Sequence, residues 1–235
     1  MSAQSAPGQI SAQAMLLLSV ASEWTSVVVN AAAALASLAA VVVAIWRDEI
    51  RGRFNPHAID LVVEKPGTIT DVGAGQRALL RHLRVRKVKG RGPLLNCRVL
   101  VESITEQNEI GLWQQVPLAV PLQLTWAPMQ STPALASITS EQVVDFGYLI
   151  NQLNLHNSPR WFQPAFYGIP ADFRGRVAAG KAMRYQLRVE ADNLGHAEYY
   201  VIEVNWDGHW EEDANAMLNH LVVRRLARVK GRDDW

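Results

Sequence analysis

Residues 183–206 read MRYQLRVEADNLGHAEYYVIEVNW, and the reading of this stretch decides the fold. Met183, Tyr185, Leu187 and Val189 interleave with Arg184, Gln186, Arg188 and Glu190, the period of two that lines one face of a strand with apolar side chains. Past Asp192-Asn193-Leu194-Gly195, the residues Tyr200, Ile202, Val204 and Trp206 repeat the pattern, so the segment predicts an antiparallel hairpin with one buried face. Asn193 and Gly195 are expected to supply the left-handed backbone of the turn.

Working outward, the same period recurs. Ile59, Leu61 and Val63 alternate ahead of a Pro66-Gly67 turn, and Leu83 and Val85 alternate with His82, Arg84 and Arg86. Gly90-Arg91-Gly92-Pro93 then turns the chain into Cys97, Val99 and Val101, which predicts either a hairpin or a short crossover between two layers. Leu118 to Trp126 shares one apolar face but carries Pro117 and Pro121 at its start and within it, so it reads as an edge or bulged strand. Val143 to Ile150 reads as a further strand, and Arg160 to Phe166 as an aromatic loop. Glu212 to His220 reads as a short helix, and Leu221 to Val223 as a last strand. Short strands with turn signals between them and no alternation with long helices argue for a mainly β fold, a decorated antiparallel Ig-like β-sandwich over 57–223 with a charged tail over 224–235.

Ahead of the sandwich, residues 24–46 contain no charged side chain. At about 1.5 Å per residue a helix of that length reaches roughly 34 Å, enough for a hydrocarbon core of about 30 Å, so a single N-terminal transmembrane helix is expected here, running on to about residue 52. Trp24 and Trp46 stand where amphipathic rings favour the headgroup region, and Arg47, Arg51 and Arg53 follow at once as interface anchors. The leader over 1–23 has no Lys or Arg, so the positive-inside bias puts the N-terminus outside and the sandwich in the cytoplasm, on a single-pass inner-membrane protein. Ala32, Ala33, Ala36, Ser37 and Ala40 recur at three- and four-residue spacing, a face along which two helices can pack into a homo-oligomer.

The order of span, arginine-rich exit, the pair Leu83-Arg84-Val85-Arg86 with Asn96 to Val101, Pro121-Leu122-Gln123-Leu124-Thr125-Trp126, and Ala191-Asp192-Asn193 followed by Trp206-Asp207-Gly208-His209-Trp210 resembles an uncharacterised group of bacterial membrane-anchored proteins with an N-terminal span and an Ig-like β-sandwich. Lys87 departs from the Asn that group would place at the strand's close. The resemblance implies fold and anchoring, and it brings no activity with it.

Composition bounds the function. A chain that is 49% hydrophobic and 19% charged with net charge +1 is an ordinary globular chain with one apolar insert, which argues against a dedicated nucleic-acid binder. The single cysteine, Cys97, excludes an internal disulfide and lies on an expected core face. Gly175 to Lys181 has the glycine and lysine spacing of a phosphate loop, yet Ala182 replaces the hydroxyl residue and a strand pattern follows, so a plain turn is expected. No cofactor and no metal site are expected. His209 beside Glu211, Glu212 and Asp213 is the one His-carboxylate concentration, and it supports the alternative of a membrane-tethered metal-dependent hydrolase. A second alternative is an extracytoplasmic receptor or envelope module. The leading expectation is a non-enzymatic module that binds a protein partner or the lipid bilayer surface, with Trp210, Asp207, Arg84 and Arg86 as its candidate interaction surface.

Overall fold

The computed structural model describes residues 25, 27–43, 57–73, 75–128, 136–151 and 161–229. The chain divides into two units, residues 1–51 and 52–235. In the first, residues 27–43 are helical and every described side chain is exposed, including Val27, Val28, Val29, Leu35, Leu38, Val41, Val42 and Val43. Ser37 Oγ donates to the Ala33 carbonyl at 2.9 Å, so the helix satisfies its own hydroxyl. Among the described residues no helix is long and apolar enough to cross a membrane. The leader, Trp24, Trp46, Arg47, Arg51 and Arg53 lie outside the described residues, and so do both ends of the expected span.

The second unit is two antiparallel sheets. Sheet 1 runs β1 (Ala58–Val63), β3 (Gln76–Lys89), β9 (Glu141–Asn151), β10 (Trp161–Pro164) and β11 (Val177–Ala178), with β2 (Thr68–Gly73) on β3 and β7 (Thr125–Trp126) on β9. Sheet 2 runs β14 (Leu221–Val229), β13 (Glu198–Trp206), β12 (Lys181–Glu190), β4 (Leu94–Gln107) and β5 (Trp113–Val116), with β6 (Leu122–Gln123) and β8 (Ala136–Ile138) on β4. β12 and β13 form the hairpin that their alternation predicts, in a register that sets Met183 against Val204, Tyr185 against Ile202 and Leu187 against Tyr200. All six are buried in one core cluster with Leu61, Leu79, Leu83 and Val85 of sheet 1. Phe146 of β9 meets Tyr185 of β12 edge-on at 5.6 Å, which locks the layers through a favoured ring geometry.

Gly90 to Pro93 proves to be the crossover, since it joins β3 of one sheet to β4 of the other. Asn193 fastens it: its Oδ1 accepts from the Leu95 amide at 3.0 Å and its Nδ2 donates to the Pro93 carbonyl at 2.9 Å. Gly195 has a φ of +86°, whereas the one non-glycine residue in the left-handed region among those described is Asn96 at +52°. Asn193 therefore serves the turn through its side chain rather than through its backbone.

The Pro117 to Trp126 run is divided. Leu122 and Gln123 pair with β4, Thr125 and Trp126 with β9, and both prolines fall outside the ladders. Leu122, Leu124 and Trp126 are buried as expected, while Val120 points to solvent at 59% exposure. Trp161 to Pro164, expected as loop, pairs with β9 at Gly147 to Leu149. The last strand runs on to Val229, so part of the expected tail is strand.

At one side the sheets are tied by polar contacts. Tyr200 Oη donates to the Ile59 carbonyl at 3.0 Å, and Arg225 of β14 reaches both the Leu61 carbonyl at 2.6 Å and the Asp60 carboxylate. Burial works to raise the Asp60 carboxyl, but Arg225 and then Arg86 outweigh it and hold it below the usual carboxylate range.

Arg81 breaks the pattern. It sits on the core-facing side of β3, only 1% exposed, and among the described residues none of its three guanidinium nitrogens has a hydrogen-bond partner. Burial pushes its pKa down, the mark of a charge stripped of water without a counter-charge. Replacing such a charge with an apolar side chain of similar length removes a desolvation cost and loses no hydrogen bond. Arg81→Met is expected to stabilise the sandwich by about 1–4 kcal/mol in denaturant melts, and a clear loss of stability would show that the guanidinium is serving an attractive interaction.

Candidate functional site

The loop from Asp207 to His220, between β13 and β14, gathers the only His-carboxylate group of metal-binding spacing among the described residues. β13 ends by burying Trp206 completely in the core, which fixes where the loop begins. Gly208 has a φ of +98°, and a Cβ there would lie 2.8 Å from the Ala179 Cβ, so glycine is required on two counts. The Asp207 amide donates to the His220 carbonyl at 3.1 Å and closes the base of the loop.

Asp207 then organises the rim. One carboxylate oxygen accepts from the His209 amide at 2.8 Å, and the other lies 2.8 Å from His220 Nδ1. Burial works to raise this carboxyl, but the His209 amide, followed by the His220 side chain and the charge of both imidazoles, holds it below the usual range. His209 Nε2 lies 2.9 Å from Glu211 Oε1, and His220 Nε2 lies 4.0 Å from the same oxygen. The two imidazole rings pack with centroids 4.4 Å apart at 54°.

Asp213, expected beside His209, is diverted elsewhere. Its Oδ1 accepts from the amides of Asn215 at 3.0 Å and Ala216 at 2.9 Å, which starts the single 3-10 turn Ala216–Asn219. That turn plants Met217 in the core, and the Glu211 amide packs on its sulfur at 3.0 Å. Glu211 is thereby presented to the two histidines. His220 takes the place that sequence reasoning gave to Asp213. The signal for it lay in the strand pairing: Trp206 opposite Leu221 makes Asp207 and His220 neighbours.

The four residues expected as an interaction surface fall in two places. Asp207 and Trp210 share the loop, but Trp210 is half-buried against the core and donates through Nε1 to Glu212 at 2.9 Å, while Glu212 also pairs with Arg77 of β3. Arg84 and Arg86 lie further along β3 on its outer face. Arg84 pairs with Glu64 and with Glu141 at 2.5 Å, and Arg86 with Asp60 at 3.2 Å. These are cross-strand ion pairs of a solvated face, each worth about 0–1 kcal/mol.

The remaining motifs resolve simply. Lys181 of the phosphate-loop lookalike opens β12 and no helix follows it. The Cys97 thiol is buried, and burial, aided by the charge of Glu190, pushes it up to about 12, far from a nucleophile's range. His82 lies 2.9 Å from Asp145 on the floor of an apolar groove of about 550 Å³ on the outer face of sheet 1, lined also by Val72, Leu80, Tyr148 and Ile150. Alternation alone does not reveal that groove, because Leu80 falls on the same face of β3 as His82, Arg84 and Arg86.

No protein-family model matches the chain, and neither a curated protein nor a solved structure is significantly similar to it. The resemblance to bacterial membrane-anchored sandwich proteins accordingly rests on the short motifs that carry it.

Gly208 and Gly195 share a positive φ, yet a Cβ at Gly195 meets nothing within 4 Å. Gly208→Ala is therefore expected to cost more than the roughly 1 kcal/mol of left-handed strain that Gly195→Ala incurs, measured by paired denaturant melts. Equal losses at the two positions would remove the close approach to Ala179 as the reason for glycine.

Proposed function

We propose that this chain is a single-pass membrane-anchored protein whose sandwich, Ig-like in its strand alternation and layer crossover, acts as a protein- or lipid-surface interaction module. One observation carries the reading: helix 27–43 is apolar and exposed on every face, within a run from Trp24 to Trp46 that has no charge. A helix hydrophobic all round has no stable place in water and requires a core or a bilayer around it. Trp24 and Trp46 suit the two interfaces, and Arg47, Arg51 and Arg53 favour a cytoplasmic sandwich. The small-residue face through Ala32, Ala33, Ala36 and Ala40 suits self-association within the membrane.

The sandwich supports the interaction role through its open edge. Among the described residues β5 and β6 pair with β4 and with no strand beyond them, so they form an edge of sheet 2 of the kind that recruits an extended segment of a partner. By contrast the outer faces satisfy themselves. Glu203 of β13 is held between Arg184 of β12 and Arg224 of β14, each with a contact of 2.9 Å, and Arg184 in turn stacks over Trp113 of β5 at 3.8 Å.

Crosslinking and affinity purification of the full-length protein from membranes is expected to capture a partner that is lost when residues 57–229 are deleted. A C-terminal tag is expected to resist protease in intact cells. Digestion of the tag in intact cells would reverse the orientation, and recovery of the same partner without the sandwich would end the module reading.

A further inference from the structure

We propose that His209, Glu211 and His220 bind one divalent transition-metal ion of the zinc class, in a three-ligand site whose fourth position is open. The three side chains come from the two ends of one loop, and one ligand atom from each lies within 4.8 Å of the other two. Around a tetrahedral zinc with bonds of about 2.0–2.1 Å, neighbouring ligand atoms stand about 3.3 Å apart. The separations of 2.9 Å and 4.0 Å from Glu211 Oε1 to the two imidazole Nε2 atoms straddle that value and the remaining separation is within 4.8 Å, so small side-chain rotations complete the site.

Asp207 makes His220 a ligand rather than a bystander. With Nδ1 directed at the Asp207 carboxylate at 2.8 Å, the ring carries its proton there and turns the Nε2 lone pair toward Glu211. This is the carboxylate–histidine arrangement that fixes the tautomer of a metal-bound imidazole and raises its basicity. A cation placed between that lone pair and the Glu211 carboxylate oxygen is attracted by both. Asp207 is itself held in place by the His209 amide, so one carboxylate sets the position of both histidines.

The donor set selects the ion. Two imidazole nitrogens and one carboxylate oxygen suit zinc and its neighbours, whereas calcium and magnesium want six or more oxygens. The histidines are half-exposed to exposed, with side chains at 61% for His209 and 26% for His220, which leaves the fourth position accessible to water or to a group from a partner. Bound there, the ion ties the outgoing end of the loop at His209 and Glu211 to its return at His220, and so fastens the entry to β14.

The test uses the full chain in detergent micelles, stripped with chelator and titrated with zinc by calorimetry, then with cobalt by visible absorption. One ion per chain is expected, with the intense visible bands of tetrahedral cobalt. His209→Ala and His220→Ala are each expected to weaken binding at least tenfold, and Asp207→Asn by about 10–100-fold through loss of the tautomer. His196→Ala, an exposed histidine beside Glu198 on another turn, is expected to leave affinity unchanged. His209 is exposed, so its variant keeps the fold and separates lost binding from lost structure, with far-ultraviolet dichroism as the check. Absence of saturable one-to-one binding would overturn the site, as would zinc affinity that survives the His209→Ala/His220→Ala double substitution.

Discussion

Two fourteen-residue strands joined by four residues carry this fold. β3 pairs with β1, β2 and β9, and β4 pairs with β12, β5, β6 and β8, so each sheet is assembled on one of them. Because Gly90 to Pro93 is so short, β3 and β4 cannot lie far apart, and the two sheets are forced face to face with their apolar sides inward. Asn193 holds that link from the far hairpin by meeting an amide and a carbonyl that the turn would otherwise leave unpaired. Tyr200 and Arg225 then close the open side against β1. The loop that gathers His209, Glu211 and His220 inherits its geometry from this frame, since it starts where Trp206 is locked into the core and ends where β14 begins.

Much of this was legible in the residues. Alternation located β1, β12 and β13, because each has one face in the core and the period of two survives along it; β9 was located as well, although its buried positions change phase between Phe146 and Gly147. The extent of β3 and β4 was not legible. Their outer faces carry arginines and glutamates that ladder across strands, and Asn96 with its left-handed backbone interrupts the pattern near the start of β4. Whether Gly90 to Pro93 makes a hairpin or changes layer depends on which partner strands β3 and β4 find, and those lie many residues away. Trp161 to Pro164 joins the sheet because Gly147 lets Phe162 approach: a Cβ at Gly147 would sit 2.4 Å from the Phe162 ring. No local propensity encodes such a meeting.

The site was half legible for a related reason. His209 and Glu211 were visible as neighbours, but Asp213 was drawn off by the amides of Asn215 and Ala216, a competition in which a short carboxylate side chain prefers nearby backbone. His220 enters through the β13–β14 register, a long-range fact. Arg81 lies on the same side of β3 as Leu79, Leu83 and Val85, and among the described residues its guanidinium has no hydrogen-bond partner.

The helix stands apart from these polar arrangements, because every one of its described side chains is exposed and none is charged. The proposed anchor therefore makes a simple physical demand, that the chain behave as an integral rather than a peripheral component of a membrane. Alkaline carbonate extraction of membranes holding the full-length protein measures this directly. Retention in the membrane pellet, with release only by detergent, is the predicted result. Release of the intact chain into the carbonate supernatant would contradict it.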